Sequence, residues 1–222
     1  TLSIVGPLSR SVVSAVCDDI DFSNDSFPFM SVRAGTVSGV PARIFRISFS
    51  GELTYEINVQ ANYARGVWEA CVKAGKEYGI KPYGTEVMHV LRAEKGFVII
   101  GQDTDGSVTP MDAGMDYMVN RHNDFLGKRS LYRSEMLRDD RKHLVGLRTC
   151  SPAEVLPEGG QIVESTNNDL PAAMLGHVTS SYYSVSLGHS IALALVMGGR
   201  SRMGDIVYIF DVNRGFTPAE IT

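Results

Sequence analysis

The chain has 222 residues, of which 21 are basic and 25 are acidic, so its formal net charge at neutral pH is -4. The basic residues are scattered rather than gathered into a patch, which argues against nucleic acid as a partner. No apolar run approaches the roughly 18 residues that a membrane-spanning helix needs, so we expect no membrane contact. The three cysteines are widely spaced, which predicts no disulfide framework and favours a reducing, cytoplasmic setting. The five histidines stand singly, so we expect no metal site.

The first part of the chain predicts strands and helices that share one core. Residues 2–5 alternate as a strand, and residues 32–37 and 41–59 predict further strands that pair across a turn at Ser38 and Gly39. Residues 32–59 give two or three strands in all, and inside the longest stretch Gly51 interrupts the alternation, which predicts a β-bulge or a close approach of the backbone to another group. After the bulge, alternate residues point into the core, and Glu56 lies on the other face.

Two helices are predicted next. Asn62 is a suitable N-cap for a helix that reaches residue 78, in which Trp68 is expected to belong to the core. Thr85 can cap a second helix that ends at Glu94, with Val87 on its inward face. Residues 97–100 then predict a short strand.

The pattern changes after the charged run at residues 139–142, which is therefore our candidate domain boundary. Beyond it the chain predicts short strands separated by proline, glycine, serine and asparagine, which is typical of a small barrel or sandwich. The five predicted strands lie at residues 143–148, 161–164, 174–179, 190–196 and 205–210.

Residues 46–57, RISFSGELTYEI, resemble the signature of the folate-dependent aminomethyltransferase fold, the fold of the glycine-cleavage T-protein. Further segments of that pattern follow in the same order along nearly the whole chain. The resemblance implies an α+β fold, a partial folate-binding aminomethyltransferase (T-protein-like) fold with a C-terminal small β-barrel. We therefore expect a folate-binding region at residues 1–138 and the barrel at residues 142–222.

The segments PYGT at residues 82–85, HVLRAEKG at 89–96 and GQDTDG at 101–106 look like the carboxy-terminal region of the alpha subunits of heterotetrameric sarcosine oxidases. That resemblance implies capture of the methylene group of oxidised sarcosine on tetrahydrofolate, which yields glycine and 5,10-methylenetetrahydrofolate. Other sarcosine oxidase subunits are the implied partners. FAD, FMN and NAD are expected only on other parts of the complex.

The residues alone leave two interpretations of Glu56, a solvated glutamate or a carboxylate that accepts two parallel hydrogen bonds from a flat ring. The resemblance implies the second, with Glu56 holding the aminopyrimidine edge of a pterin and Phe49 beside it. Met88 is the third implied folate-binding residue, although T-proteins carry an arginine there and a thioether could supply only packing.

Two other functions remain open at this point. Another aminomethyltransferase-fold enzyme, of the glycine-cleavage T-protein or dimethylglycine dehydrogenase type, would share folate but take its carbon from a different donor. A domain that only binds folate or serves assembly would transfer nothing. We expect the catalytic acid or base in a segment that precedes Thr1, so that this chain by itself is inactive.

Overall fold

The computed structural model describes residues 1–166 and 171–222, which form two compact units, Thr1–Leu91 and Arg92–Thr222. The helices are α1 (Ser9–Ser14), α2 (Ala64–Gly75) and α3 (Thr85–Glu94). The strands of the first unit are β1 (Leu2–Val5), β2 (Val32–Val37), β3 (Val40–Phe45) and β4 (Thr54–Asn58). Those of the second are β5 (Lys142–Thr149), β6 (Gln161–Val163), β7 (Gly176–Ser184), β8 (His189–Met197), β9 (Ile206–Asp211) and β10 (Gly215–Ile221).

The first unit is built on an antiparallel sheet with the strand order β1-β4-β3-β2. The predicted hairpin between β2 and β3 is confirmed, and both of its turn residues, Ser38 and Gly39, have positive φ angles of 50° and 79°. Two central residues of such a hairpin turn need positive φ, which glycine adopts without steric cost. Because β4 lies between β1 and β3, its backbone is hydrogen-bonded to a neighbouring strand along both edges, which fixes the directions of its side chains.

The predicted bulge is wrong, because Gly51 does not lie within a strand; the split of residues 41–59 into two strands agrees with the larger of the predicted strand numbers. β3 ends at Phe45, β4 begins at Thr54, and the two strands pair antiparallel with Phe45 opposite Glu56. Gly51, with φ of 79°, lies in the connection between them. The predicted alternation holds for Tyr55 and Ile57, which are fully buried, but Thr54 on the other face is buried as well.

The helices follow the sequence prediction in extent more closely than in orientation. α2 is preceded by a 3-10 turn, its N-cap is Tyr63 rather than Asn62, and Trp68 is 44% exposed instead of buried. α3 has the predicted bounds, but Val87 is exposed and Arg92 is completely buried. The apolar stripe thus identified the buried face of α2, where Val67, Cys71 and Gly75 are buried, but not that of α3.

The second unit contains a closed barrel with the strand order β10-β5-β8-β7-β6-β9. All five predicted strands are present, with ends that differ by a few residues, and β10 is a sixth that sequence analysis missed. Pro218 lies within β10, opposite Tyr208 of β9, and proline inside a run normally argues against a strand. Residues 97–100 form no strand, since Ile100 makes only an isolated bridge to Thr104.

Close packing between β7 and β8 requires glycine at position 176. A Cβ atom at Gly176 would lie 1.8 Å from the backbone oxygen of Leu195. The barrel core is otherwise aliphatic, with residues such as Leu147, Ile162 and Ile209 almost fully buried. None of the helices in the described ranges is both long and apolar enough to cross a membrane.

Candidate functional site

The carboxylate of Glu56 is held at a fixed position on the central strand β4. Its neighbours Tyr55 and Ile57 point into the core, so Glu56 projects from the opposite face of the sheet, where it is half-buried. Across the sheet it lies opposite Ser3 of β1 and Phe45 of β3. Within residues 1–166 and 171–222 no group hydrogen-bonds or ion-pairs with this carboxylate. A half-buried carboxylate without a partner is available to a ligand.

A narrow cleft surrounds Glu56 and brings together all three predicted site residues, although they come from separate segments. We call it the Glu56 cleft; it is lined by Ser3, Val5, Phe49, Ser50, Thr54, Glu56, Tyr83 and Met88. Phe49 comes from the connection between β3 and β4, and Met88 from α3. Whether these residues bind folate stays a prediction.

Hydrogen bonds shape the connection that carries Phe49. The hydroxyl of Thr54 donates to the backbone oxygen of Glu52 at 3.0 Å and lies 3.1 Å from the hydroxyl of Ser48. The backbone N–H of Glu52 donates to the hydroxyl of Ser50 at 3.4 Å. These local bonds hold the chain in the turn, so that the Phe49 ring remains at the wall of the cleft.

Sequence analysis missed two aromatic contributors to this site. His89 follows Met88 on α3, and its ring centroid lies 6.4 Å from that of Phe49. Tyr83 lines the cleft from the segment before α3, and burial raises the pKa of its phenol above its ordinary value. No local sequence pattern indicates that His89 of α3 contacts the ring of Phe49, because the two residues are 40 positions apart in the chain.

The cleft fits one edge of a flat, nitrogen-rich ring. A carboxylate can accept two parallel hydrogen bonds from adjacent N–H and NH2 groups, and Glu56 has no competing donor. Phe49 and Met88 offer apolar surface on which the face of a ring can pack. The chemistry of these side chains therefore fits the aminopyrimidine edge of a pterin. The cleft itself has a volume of only about 10 Å³, room for one water, so a ring can enter only if its side chains move apart.

A larger cavity continues from the Glu56 cleft within the first unit, and we call it the aromatic groove. Its volume is about 590 Å³. Its lining includes β1, the aromatic residues Trp68, Tyr78 and Tyr83, and Lys81. It shares the four residues Ser3, Val5, Tyr83 and Met88 with the Glu56 cleft.

The second unit holds a buried polar cluster centred on Arg92 and Asp103, both of which have no exposed surface. Arg92 forms an ion pair with Asp103 and donates to the hydroxyl of Ser180 at 2.6 Å. The other oxygen of Asp103 accepts hydrogen bonds from the hydroxyls of Thr179 and Ser180 at 2.6 and 2.5 Å. Since Asp103 and the terminal nitrogens of Arg92 are hydrogen-bonded within the cluster, and both residues are fully buried, we assign the cluster a structural role.

Comparison with known families confirms the fold that the sequence predicted. Residues 1–123 match the family model described as the GCVT N-terminal domain, and residues 142–222 match that of the glycine cleavage T-protein C-terminal barrel domain. The chain belongs to the glycine cleavage T-protein family. Its architecture is the mixed helix-and-sheet fold of that family with a C-terminal six-strand barrel. The division into domains at residues 138 and 142 stays a prediction.

Similar proteins of this family are longer than the chain. It is 51% identical over 210 residues to sarcosine oxidase subunit alpha of Corynebacterium sp. (strain P-1), a match that covers 93% of the chain but 22% of the relative. It is 32% identical to mitochondrial dimethylglycine dehydrogenase of Homo sapiens, over 94% of the chain and 23% of the relative. The crystal structure of glycine cleavage system aminomethyltransferase T from Bartonella henselae superposes with a TM-score of 0.77 at 20% identity. That superposition covers 98% of the chain and 56% of the Bartonella protein, and it shows the shared fold.

Proposed function

We propose that this T-protein-family chain is the folate-binding part of a sarcosine oxidase alpha subunit. In this proposal sarcosine loses two electrons to a flavin on another part of the complex and becomes a methylene-imine. The methylene carbon is then transferred to tetrahydrofolate, which gives 5,10-methylenetetrahydrofolate. The two protons displaced from the folate nitrogens leave on the amino group of glycine. The identity of 51% with a sarcosine oxidase alpha subunit supports the choice of substrate.

Tetrahydrofolate, when bound, would supply the two nucleophilic nitrogens that accept the carbon. The residues of the Glu56 cleft would provide position rather than covalent chemistry. Glu56 accepts hydrogen bonds from the aminopyrimidine edge and so sets the orientation of the ring, while Phe49 and Met88 pack on it and exclude water. Exclusion of water matters because hydrolysis of a methylene-imine releases formaldehyde instead of transferring the carbon.

One observation carries the folate assignment: Glu56 is half-buried, lies in a cleft with apolar walls and has no partner among the described residues. Glu56→Gln should therefore leave the fold intact and weaken tetrahydrofolate binding by about 1.5–3 kcal/mol, since an amide presents one wrong group to the pterin edge. Calorimetric titration of the native protein with tetrahydrofolate measures this change.

The matched control is Glu69→Gln, which removes the same charge from an exposed position that pairs with Arg65 on the surface of α2. It should leave folate affinity unchanged. A folded Glu56→Gln variant that binds tetrahydrofolate as tightly as the control would refute the assignment of Glu56.

A second candidate is a function of the dimethylglycine dehydrogenase type, which the 32% identity with the human enzyme favours. Such a protein would share the folate site and differ in the carbon donor. The native complex should therefore be assayed with sarcosine and with dimethylglycine in parallel. Faster formation of methylenetetrahydrofolate from dimethylglycine would select the second candidate, and folate binding without transfer from either donor would indicate a binding or assembly domain.

A further inference from the structure

We propose that a cavity in the second unit, which we call the arginine pocket, binds an oxyanion, a carboxylate or a phosphate, that is attached to a small apolar group. The pocket has a volume of about 230 Å³ and lies entirely within Arg92–Thr222. None of its lining residues belongs to the Glu56 cleft, so the site is independent of the proposed function. Four arginines, one histidine and one aspartate contribute to its wall: Arg121, Arg138, Arg141, Arg200, His143 and Asp112.

The wall of the arginine pocket carries more positive than negative charge. Among the lining residues, all of which the structure describes, Asp112 has the only carboxylate. That carboxylate is already used by Arg141, whose guanidinium donates to both of its oxygens at 2.9 and 2.6 Å. Arg138 and Arg121 each approach a carboxylate outside the wall, Arg121 only at 4.0 Å. The remaining guanidinium, that of Arg200, has to be accounted for separately.

Arg200 contacts no carboxylate within residues 1–166 and 171–222. Its two terminal nitrogens donate to the backbone oxygens of Asp112 and Met111 at 3.1 and 2.6 Å. These bonds fix the direction of the guanidinium, but neutral carbonyl groups leave its positive charge uncompensated. A guanidinium has five N–H donors, so donors remain for a further acceptor. Carboxylate and phosphate oxygens form the strongest hydrogen bonds with such a group.

His143 adds a neutral donor to this positive wall. The backbone N–H of Arg200 donates to Nδ1 of His143 at 3.5 Å, so the ring hydrogen belongs on Nε2. Burial is the main reason that the pKa of His143 lies below its ordinary value, and the positive charge of Arg200 lowers that pKa more than the carboxylate of Asp112 raises it. The histidine therefore reports a positive potential in the pocket, which an anion would relieve.

The rest of the wall is largely apolar, with contributions from Val119, Leu131, Met136 and Leu137. Apolar surroundings reduce the screening of a charge, so an anion that reaches Arg200 is attracted more strongly than in open solvent. They also offer surface on which an apolar group can pack. A cavity of about 230 Å³ is smaller than most cofactor sites, and it suits a small organic acid or phosphate ester.

The competing explanation is that Arg200 serves only to hold the turn at residues 111–112 through its two hydrogen bonds. A purely structural arginine needs no ligand, and its replacement would change stability without changing the affinity for any anion. A metal ion is a poor occupant because the guanidinium groups would repel it, and a nucleic acid needs an extended basic surface rather than a small cavity.

The test is calorimetric titration of the native full-length protein at low ionic strength with three probes: inorganic phosphate, hexanoate, and hexylammonium, a cation with the same apolar chain. We expect an anion to bind and hexylammonium not to bind. Added sodium chloride should weaken the binding, because salt screens charges that solvent can reach. Tighter binding of hexanoate would support a carboxylic acid as the ligand, and tighter binding of phosphate would support a phosphate ester.

Two variants locate the anion in the pocket. Arg200→Gln should weaken its binding about three- to tenfold, since a charge-assisted contact is lost at a solvent-exposed residue. Arg200→Lys keeps the charge without the fork of donors and should restore part of the affinity. Arg121→Gln should weaken binding about two- to threefold. The guanidinium of Arg121 donates no hydrogen bond within the described ranges, so this variant is expected to fold even if Arg200→Gln does not.

The matched control is Arg214→Gln, which removes an exposed guanidinium that also donates to a backbone oxygen, that of Val155 at 3.1 Å, outside the pocket. It should bind the anion as the wild type does. Anion affinities of Arg200→Gln and Arg121→Gln equal to that of this control would overturn the proposal; if Arg200→Gln does not fold, Arg121→Gln alone decides. Hexylammonium binding as tight as that of hexanoate, or no binding of either anion to the wild type at millimolar concentrations, would overturn it as well.

Discussion

Replacement of Asp103 by asparagine should destabilise the second unit by about 3–5 kcal/mol, the range measured when one partner of a buried ion pair is removed. Asp103 and Arg92 are completely buried, so no solvent can compensate for a lost charge. Asp103 also accepts hydrogen bonds from the hydroxyls of Thr179 and Ser180 and from the backbone N–H of Ile99. Asparagine keeps the shape but offers a single oxygen, and its NH2 group would face donors.

The magnitude is large because Arg92 would remain charged without its counter-ion. Its Nε atom is already buried without a hydrogen-bond partner among the described residues, and its remaining contacts to Ser180 and Tyr182 involve neutral groups. Domains of this size are stable by about 5–15 kcal/mol in total, so a loss of 3–5 kcal/mol would be visible as a clear shift of the unfolding midpoint.

Urea unfolding should be measured for Asp103→Asn, for Arg92→Met and for the double variant. Because the double variant removes both charges, its destabilisation should fall short of the sum of the single effects by about 2 kcal/mol or more. Asp105→Asn is the matched control, an exposed aspartate two residues away whose carboxylate, within residues 1–166 and 171–222, accepts hydrogen bonds from Ser107 of its own loop. If Asp103→Asn is no more destabilising than this control, the reasoning about the buried pair is wrong.

Two further predictions concern the second unit. Burial alone would raise the pKa of Asp112, but the hydrogen bonds from Arg141 lower it below its ordinary value. Asp112→Asn should therefore lower the free energy of unfolding at neutral pH. The difference in unfolding free energy between wild type and variant should disappear below about pH 4, which urea unfolding at several pH values measures. Gly176→Ala should disrupt the pairing of β7 and β8 and destabilise the second unit. The control is Gly66→Ala in α2, where a Cβ atom meets nothing within 4 Å, and it should be neutral or stabilising by up to about 1 kcal/mol. Thermal unfolding followed by circular dichroism compares the two variants, and equal stability would contradict the close approach to Leu195.

The candidate site was predictable only in part. The signature at residues 46–57 led to Glu56 and Phe49, and the position of Met88 came from the same resemblance. The structure brings these three side chains to one cleft. It adds Tyr83 and the groove around Trp68, which the helical pattern had assigned to the core. A helical stripe shows which residues share a face, but it does not tell which part of that face a neighbouring segment covers.

The sequence by itself determined the features that depend on local conformation. The turn at Ser38 and Gly39, the bounds of α3 and five of the barrel strands follow from backbone preferences and from the alternation of apolar residues. These signals are carried by residues that are close together in the chain, and they are present before any tertiary contact forms.

Only the tertiary structure decided the features that depend on distant partners. Pro218 is tolerated in β10 because it pairs only with β9, through Tyr208, and lies just before the pairing with β5 begins at Ala219. Residues 97–100 have strand-like composition, but Ile100 makes only an isolated bridge. Arg92 is buried because its charge meets Asp103, 11 residues away, and the hydroxyl of Ser180, 88 residues away. Burial of a charge is acceptable only where a partner compensates for lost hydration, and that partner is supplied by the fold rather than by the local sequence.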